Sequence, residues 1–257
     1  MKKNYNGLEI EFGSLVEINE KIQRNIESHF TLQNTDKDPT SWHNKFNCEH
    51  KELNNFINLT KNKNTLLDIG CQFGSFSLTF IGDSTTKQSF AFDGGDTPYL
   101  TLSQIKVLNQ INNLHIFNFL IGNQNEKIHC HSEELQALAI NGSDVKYMFS
   151  IDMLCNIYNI APDVIKMDIE GAEINALLGA YETIIKENPI IFIEIHPKFL
   201  QMYNSTIDDI ISFIDSINYK VLDLNQNEVT NYKDILYQEP TDSNRTIWVP
   251  KNIKTLC

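Results

Sequence analysis

Two pairs of charged side chains lie at the ends of neighbouring predicted strands. Lys166 and Asp168 end one strand, and Glu194 and His196 end the next. Residues two apart on a strand project to the same face, so the members of each pair are expected to face one side. Clustered charges at strand ends are costly unless they are paired or used. We therefore predict a functional site at this edge of the sheet.

Carboxylates beside an imidazole suit two kinds of chemistry. In the first, which we favour, His196 is a general base oriented by Asp168 or Glu194, and Lys166 is paired inside the cluster. In the second, Asp168, Glu194 and His196 bind a divalent cation such as Mg²⁺ or Mn²⁺, which acidifies a hydroxyl group. The sequence alone leaves both open.

Four further residues are candidates at the edges of this site. Glu170 and Glu173 fall in the predicted first turn of the next helix, where acidic residues also stabilise the helix N-terminus. We predict a catalytic role for Glu170 and a substrate contact for Glu173, with the structural role as the alternative. Trp42 and His43 are candidate substrate-binding residues, although docking of the N-terminal segment onto the core is the favoured explanation of the tryptophan.

These residues lie within an alternation of short apolar and helical segments that predicts a doubly wound α/β domain with a mostly parallel sheet. The predicted strands are 65–69, 89–92, 114–120, 163–167, 190–195, 220–224 and 245–249, with an extra strand at 126–131. The predicted helices are 75–80, 97–110, 171–186 and 207–217. Residues 1–64 are polar, with helices predicted near 15–26 and at 49–59, so we expect a mainly helical N-terminal extension or cap before the main domain at 65–257.

The loop after the first predicted strand is the candidate cofactor site. Its Gly70-x-x-x-Gly74 spacing differs from the Gly-x-Gly-x-x-Gly that binds a dinucleotide pyrophosphate. Asp68 before the loop suits an ammonium or a sulfonium and opposes a diphosphate, whereas Asp93, after the second strand, can bind ribose hydroxyls. These features describe S-adenosylmethionine, with capping of a helix by Asp68 as the less favoured alternative. The predicted cofactor-binding residues are Asp68, Gly70, Cys71, Gln72, Gly74, Ser75, Asp93, Gly94 and Asp168.

The amino-acid composition argues against several classes of binding partner. The 257 residues carry 33 acidic and 21 basic side chains, a net charge of −12, and no basic cluster that would bind nucleic acid or an anionic membrane. No apolar run approaches the ~20 residues that span a bilayer. Five cysteines without a CxxC pair favour reduced thiols and a cytoplasmic location.

The segment VIKMDIEGAE at 164–173, followed by LLGA at 177–180 and IEIHP at 193–197, resembles the FkbM-type methyltransferases. The resemblance covers about residues 64–250 and includes the glycine loop. It implies the seven-stranded, Rossmann-like class I methyltransferase fold and O-methylation of sugars, glycans or polyketides. Two positions depart from the family pattern, because Gln72 stands in place of Asn and Asp93-Gly94 in place of Glu-Pro.

The sequence thus predicts an S-adenosylmethionine-dependent O-methyltransferase that acts on a hydroxyl of a sugar or nucleotide-activated sugar, such as a glycan or capsule precursor. Another small hydroxylated or phosphorylated metabolite is the alternative acceptor. An NAD-linked oxidoreductase and a non-catalytic binding module are the alternatives from other classes. No nucleic acid partner or membrane insertion is expected, and a homo-oligomer is compatible with this interpretation.

Overall fold

The computed structural model describes the backbone of residues 2–5, 8–11, 43–132, 137–138, 142–233 and 245–251, and the side chains from residue 51 onward in the longer ranges. The strands are β1 (Lys2–Tyr5), β2 (Leu8–Glu11), β3 (Thr65–Ile69), β4 (Gln88–Phe92), β5 (Leu114–Phe117), β6 (Leu120–Ile121), β7 (Glu126–Ser132), β8 (Ala137–Leu138), β9 (Asp144–Phe149), β10 (Val164–Met167), β11 (Ile190–Glu194), β12 (Tyr219–Leu222) and β13 (Arg245–Pro250). The helices are α1 (His43–Leu59), α2 (Ser75–Ile81), α3 (Asp96–Leu108), α4 (Ile151–Tyr158), α5 (Glu173–Leu178), α6 (Tyr181–Glu187), α7 (Pro197–Leu200) and α8 (Ile207–Ser216), with a 3₁₀ turn at Gln201–Tyr203.

The main sheet has the strand order β12–β13–β11–β10–β3–β4–β5. Neighbouring strands from β11 to β5 are parallel, whereas β13 is antiparallel to both β11 and β12. The chain runs outward from β3 to β5 and then returns to β10 on the other side of β3, so the strand order reverses between β3 and β10. Ligands of open α/β sheets bind at the carboxyl ends of the strands beside such a reversal. The predicted α/β fold with a mostly parallel sheet is confirmed.

Helices cover both faces of this sheet. On one face, Leu66 and Phe192 pack with side chains of α1, α2 and α3, including Phe56. On the other face, Leu67 and Ile193 pack with side chains of α4 to α8. Strands covered on both sides are apolar along nearly their whole length, which explains why β3, β10 and β11 do not alternate between apolar and polar residues.

A second, four-stranded sheet has the order β6–β9–β7–β8. Its main pairing is the antiparallel ladder between β7 and β9, and β6 lies parallel to β9. The sequence predicted a strand at 126–131, where β7 lies, but did not predict β9 or helix α4. The start of α4 has a local cause, since the Ser150 side chain accepts a hydrogen bond from the Met153 amide at 3.2 Å.

The predicted strand at 114–120 is too long. β5 ends at Phe117, and the next residue, Asn118, directs its side-chain amide to Asp96 Oδ1 at 2.9 Å. This hydrogen bond joins the chain to the first turn of α3, so residues 118–119 leave the main sheet before β6 begins.

The predicted helix at 171–186 is two helices, α5 and α6, that meet at Gly179. A Cβ at Gly179 would lie 2.0 Å from the main-chain oxygen of Gly122. The close approach of another chain segment therefore coincides with the interruption, which apolar periodicity alone did not reveal.

Part of the N-terminal segment is described. β1 and β2 form an antiparallel hairpin near α2 and α3 that was not predicted, and α1 begins earlier than the predicted helix at 49–59. The helix predicted near 15–26 and Trp42 lie outside the described residues; His43 begins α1, but its side chain is not described. Within the described ranges, no helix has the length and apolar character needed to cross a bilayer.

Candidate active site

The loop between β3 and α2 depends on two glycines in left-handed backbone conformations. Gly70 has a φ of 75° and Gly74 a φ of 79°, which residues with a Cβ rarely adopt. A Cβ at Gly70 would also lie 1.8 Å from the main-chain oxygen of Asp168. At Gly74 it would lie 2.6 Å from Leu102 Cδ1. The loop therefore packs directly on the end of β10, beside the predicted catalytic residues.

Asp68 lies beneath this loop and is 2% exposed. Its Oδ2 accepts hydrogen bonds from the Ser77 amide at 3.0 Å and from Ser77 Oγ at 2.6 Å. Burial raises the pKa of Asp68 to about 6, although the Ser77 hydrogen bonds and the charge of Lys166 lower it. Asp68 thus stabilises the first turn of α2, the capping role that the sequence left open.

Asp93 connects the two loops that follow β3 and β4. Its Oδ2 accepts from the Gln72 amide and its Oδ1 from the Gly95 amide, both at 2.8 Å. Burial raises the pKa of Asp93 to about 6, while these two hydrogen bonds lower it. Each carboxylate oxygen has a second lone pair, so a hydrogen bond from a ribose hydroxyl stays a prediction.

The remaining predicted cofactor-binding residues lie in the same two loops. Cys71 and Gly94 are buried, and burial raises the pKa of the Cys71 thiol, which makes it unreactive. Ser75 Oγ is buried and has no hydrogen-bond partner among the described residues. Because an unpaired buried hydroxyl is costly, a polar ligand group that reached Ser75 would stabilise the loop.

The ring of His196 is held by a fully buried carboxylate. His196 Nδ1 lies 2.7 Å from Glu173 Oε1, which also accepts from the Gly171 amide at 2.9 Å. Since an ionised carboxylate can only accept, Nδ1 donates and Nε2 is left toward the cluster. The sequence predicted that Glu173 contacts substrate. Glu173 is 0% exposed, so its observed contact is instead with the imidazole, from behind.

Three carboxylates surround Nε2 of His196. The distances from Nε2 are 3.6 Å to Asp168 Oδ1, 3.6 Å to Glu170 Oε2 and 3.9 Å to Glu194 Oε1. These distances are too long for hydrogen bonds, so the contacts are electrostatic. The ends of β10 and β11 bring together the residues that the sequence placed there.

This arrangement changes the proton affinities of the cluster. Burial alone would lower the pKa of His196, but the hydrogen bond with Glu173 and the charge of Asp168 outweigh it and raise that pKa to about 9. Burial, with Asp168 adding, raises the pKa of Glu194 to about 8. Asp168 is also buried, but Lys166 and His196 hold its pKa well below the usual range. An unliganded His196 is therefore protonated near neutral pH, which opposes a role as general base.

Two buried residues that sequence reasoning missed complete the cluster. Glu52 on α1 lies 3.2 Å from Lys166 Nζ and 3.3 Å from Arg245 Nη1, and Arg245 Nη2 lies 2.6 Å from Glu194 Oε2. Glu52 is 2% and Arg245 6% exposed. Two signals in the sequence could have indicated them. Arg245 begins an otherwise apolar strand, and Glu52 lies one helical turn before Phe56 on the buried side of α1.

A family model described as the methyltransferase FkbM domain matches residues 38–221. The match covers more than half of the chain. This chain belongs to the FkbM methyltransferase family. The resemblance inferred from the sequence is confirmed, and the matched FkbM region also includes α1. No curated protein matches the chain.

Solved structures with a similar fold are distant in sequence. The FkbM methyltransferase from Methylobacillus flagellatus KT is 18% identical, with a TM-score of 0.49 over 90% of this chain and 60% of that one. An O-methyltransferase from Bacillus cereus in complex with SAH is 11% identical, with a TM-score of 0.44 over 93% and 94% of the two chains. A SAH-bound methyltransferase from Podospora anserina is 11% identical, with a TM-score of 0.45 over 93% and 100%. The chain therefore spans about three fifths of the Methylobacillus protein.

Proposed function

We propose that this FkbM methyltransferase transfers the methyl group of S-adenosylmethionine to a hydroxyl oxygen of a sugar or nucleotide-activated sugar. Family membership supports methyl transfer. The glycine loop, with Asp68 beneath it and Asp93 beside it, supports a cationic nucleoside as cofactor. The His196 cluster supports a hydroxyl as acceptor, because such a group needs help to lose its proton.

The contact between Gly70 and Asp168 carries this proposal. A Cβ at Gly70 would nearly coincide with the Asp168 main-chain oxygen, and the Asp168 amide donates to the Ile69 oxygen at 3.0 Å. The end of the loop that would bind the methyl donor is thus in van der Waals contact with the residue whose side chain faces His196. Donor and acceptor sites share one boundary, as direct transfer between them requires.

The proposed methyl transfer is a single displacement. A lone pair of the acceptor oxygen forms the new C–O bond while the methyl C–S bond breaks, and the C–S electron pair stays on sulfur as a neutral thioether. Because the charges of an alkoxide and a sulfonium disappear together, a site that excludes water favours the reaction, and alignment of the three atoms contributes most. The hydroxyl proton would pass to a neutral His196. If Asp168, Glu194 and His196 held a divalent cation instead, the ion would acidify the hydroxyl.

The charge of the cluster bears on the acceptor. Carboxylates surround the reacting position, so a neutral sugar ring or polyol is favoured there over a phosphate group. In a nucleotide-activated sugar, the diphosphate must then lie away from His196. Other small hydroxylated metabolites satisfy the same requirement.

Thermal unfolding with S-adenosylhomocysteine tests the cofactor. A ligand at 100 times its Kd stabilises the native state by about 2.7 kcal/mol, which raises Tm by roughly 5–10 °C for a chain of this size. NADH at the same concentration is the control and is expected to leave Tm unchanged. Stabilisation by NADH without any response to S-adenosylhomocysteine would contradict the proposal and favour an oxidoreductase.

A panel of acceptors tests the substrate class. Neutral sugars, nucleotide sugars and sugar phosphates are incubated with S-adenosylmethionine, and S-adenosylhomocysteine release is measured. We expect release with a sugar or nucleotide sugar, and loss of that release when the reactive hydroxyl is replaced by hydrogen. Turnover that persists with the deoxy sugar would exclude that hydroxyl as the acceptor.

A further inference from the structure

Three ligand-type atoms converge at the open side of the His196 cluster. Asp168 Oδ1, Glu194 Oε1 and His196 Nε2 lie within 4.8 Å of one another. Ligand atoms about 2.1 Å from one ion and about 90–110° apart are separated by roughly 3.0–3.4 Å. The observed distances from Nε2 are 3.6 Å to Asp168 and 3.9 Å to Glu194. A small rotation of these side chains would bring the atoms to that spacing.

A second, independent feature is the way in which His196 is held. A metal-bound histidine nearly always donates its other ring N–H to a carboxylate or carbonyl, which fixes the ring and the tautomer. Glu173 provides such a carboxylate, fully buried and 2.7 Å from Nδ1. Its Oε2 is also buried and has no hydrogen-bond partner in the described ranges. This buried carboxylate orients Nε2 toward Asp168 and Glu194.

Each of the two facing carboxylates has one oxygen beside a cation and the other toward the cluster. Arg245 lies 2.6 Å from Glu194 Oε2, and Lys166 lies 3.8 Å from Asp168 Oδ2. The oxygens that face His196 are the opposite ones, Oε1 and Oδ1. The two cations thus hold the carboxylates in place without occupying the shared space.

We propose that Asp168, Glu194 and His196 bind one divalent cation, with Glu173 as the positioning residue behind the imidazole. Two carboxylate oxygens and one imidazole nitrogen are a mixed hard and intermediate donor set, which suits Mn²⁺ best among the common ions. His196, Glu194 and Asp168 are 16–34% exposed, so coordination positions stay open toward solvent. Resting on the proposed function, one of these positions would bind the acceptor hydroxyl, but binding of the ion requires neither cofactor nor acceptor.

Electron paramagnetic resonance of the EDTA-treated full chain titrated with Mn²⁺ alone tests the site. We expect one bound ion per chain, and coupling of the bound Mn²⁺ to an imidazole nitrogen that disappears in His196→Gln. Glu173→Gln is expected to weaken binding by about 10–100-fold, as loss of an orienting carboxylate does. Glu182→Gln, on the exposed side of α6, is the matched control and should bind as wild type does.

The outcomes separate this inference from the proposed function. Absence of bound Mn²⁺, or bound Mn²⁺ without nitrogen coupling in the wild-type chain, overturns the metal site even if His196→Gln fails to fold. Methyl transfer that proceeds unchanged with EDTA in that case leaves the proposed function standing. Binding with the expected coupling supports the site, whether or not any acceptor in the panel is methylated.

Discussion

The glycine loop and the His196 cluster lie on either side of Asp168, yet they are built in opposite ways. In the loop, the acidic side chains Asp68 and Asp93 are satisfied by hydrogen bonds from loop and helix residues. In the cluster, the carboxylates approach His196 Nε2 at 3.6–3.9 Å, and none of these contacts is a hydrogen bond.

The difference separates a loop shaped by its backbone from a cluster that depends on the balance of its charges. The loop owes its shape to backbone conformations and close packing. In the cluster, the carboxylates repel one another, and Lys166, Arg245 and a protonated His196 offset that repulsion. Substitutions in the loop should therefore affect cofactor binding and folding, whereas those in the cluster should affect the chemical step.

The largest expected effect is that of His196→Ala. Loss of the imidazole removes the group that would act either as general base or as metal ligand, so turnover should fall by ~10²–10⁴-fold. Stabilisation by S-adenosylhomocysteine should change little, because the loop is intact. His129→Ala, on the exposed strand β7, is the control for loss of a histidine. Unchanged turnover in His196→Ala would remove the cluster from the mechanism.

Gly70→Ala should disrupt the glycine loop. The new Cβ would overlap the Asp168 oxygen at a positive φ, so we expect a loss of about 4 kcal/mol in the free energy of unfolding and loss of cofactor binding. Gly95→Ala is the control, since its φ of −73° suits any residue. Urea denaturation and calorimetric titration measure both quantities. Equal behaviour of the two variants would mean that strain at Gly70 does not shape the loop.

Glu52→Gln tests the buried ion network behind the cluster. Removing the carboxylate leaves Lys166 and Arg245 buried with less compensation, which should cost about 3 kcal/mol of stability. Glu228→Gln breaks a half-exposed pair with Lys220 and should cost less than about 1 kcal/mol. Urea denaturation at neutral pH compares them. A cost no larger than that of the surface pair would show that the network is not stabilising.

Asp68→Asn tests the buried acid beneath the glycine loop through the pH dependence of stability. The folded-state pKa of Asp68 is about 6, against 3.8 ordinarily, so between pH 4 and 6 the folded state binds more protons than the unfolded state. Stability from this group therefore falls as pH rises, by about 2–3 kcal/mol in total. The variant lacks that loss, so the wild type should become less stable relative to Asp68→Asn from pH 4 to pH 7. A pH-independent difference in urea denaturation would contradict the assignment.

The smallest expected effect concerns Lys146, which joins the second sheet to the first turn of α3. It pairs with Asp96 and lies 2.9 Å from Asn118 Oδ1. Because Asp96 is largely exposed, Lys146→Met should lower the free energy of unfolding by less than about 1 kcal/mol. Any weakening of cofactor binding should stay within the same energy, which is roughly fivefold in Kd. Lys127→Met, on β7 of the same sheet, is the control. A larger effect on turnover than on Kd would place Lys146 in the reacting site.

Much of the fold was predictable because the central strands are apolar on both faces. β3, β4, β10 and β11 were predicted to within about a residue at each end, and so were the first residues of α2, α3 and α8, which follow a glycine or a cap. The errors lie where tertiary contacts override local pattern. Strand β9 exposes Val145 and Tyr147, whereas Lys146 between them is partly buried, so its apolar residues did not mark a buried face. The break at Gly179 depends on a distant chain segment.

The candidate site was predictable for residues close together in sequence. Alternation along β10 and β11 placed Asp168, Glu194 and His196 on one edge, because strand geometry fixes side-chain direction. The contacts of Glu52 and Arg245 depend on helix α1 and on the last strand, 193 residues apart in sequence. The burial of Glu173 was also inaccessible, because helical periodicity does not show which face a short helix presents.

Glu52 also bears on where this enzyme can be shortened. The boundary predicted between residues 64 and 65 separates Glu52 from Lys166 and Arg245, and α1 further contributes Phe56 to the core and an Asn55 amide that donates to the Leu224 oxygen at 2.8 Å. A fragment of residues 65–257 would bring both basic side chains into an apolar interior without this acid and would uncover one face of the sheet. Such a fragment should be recovered as insoluble protein.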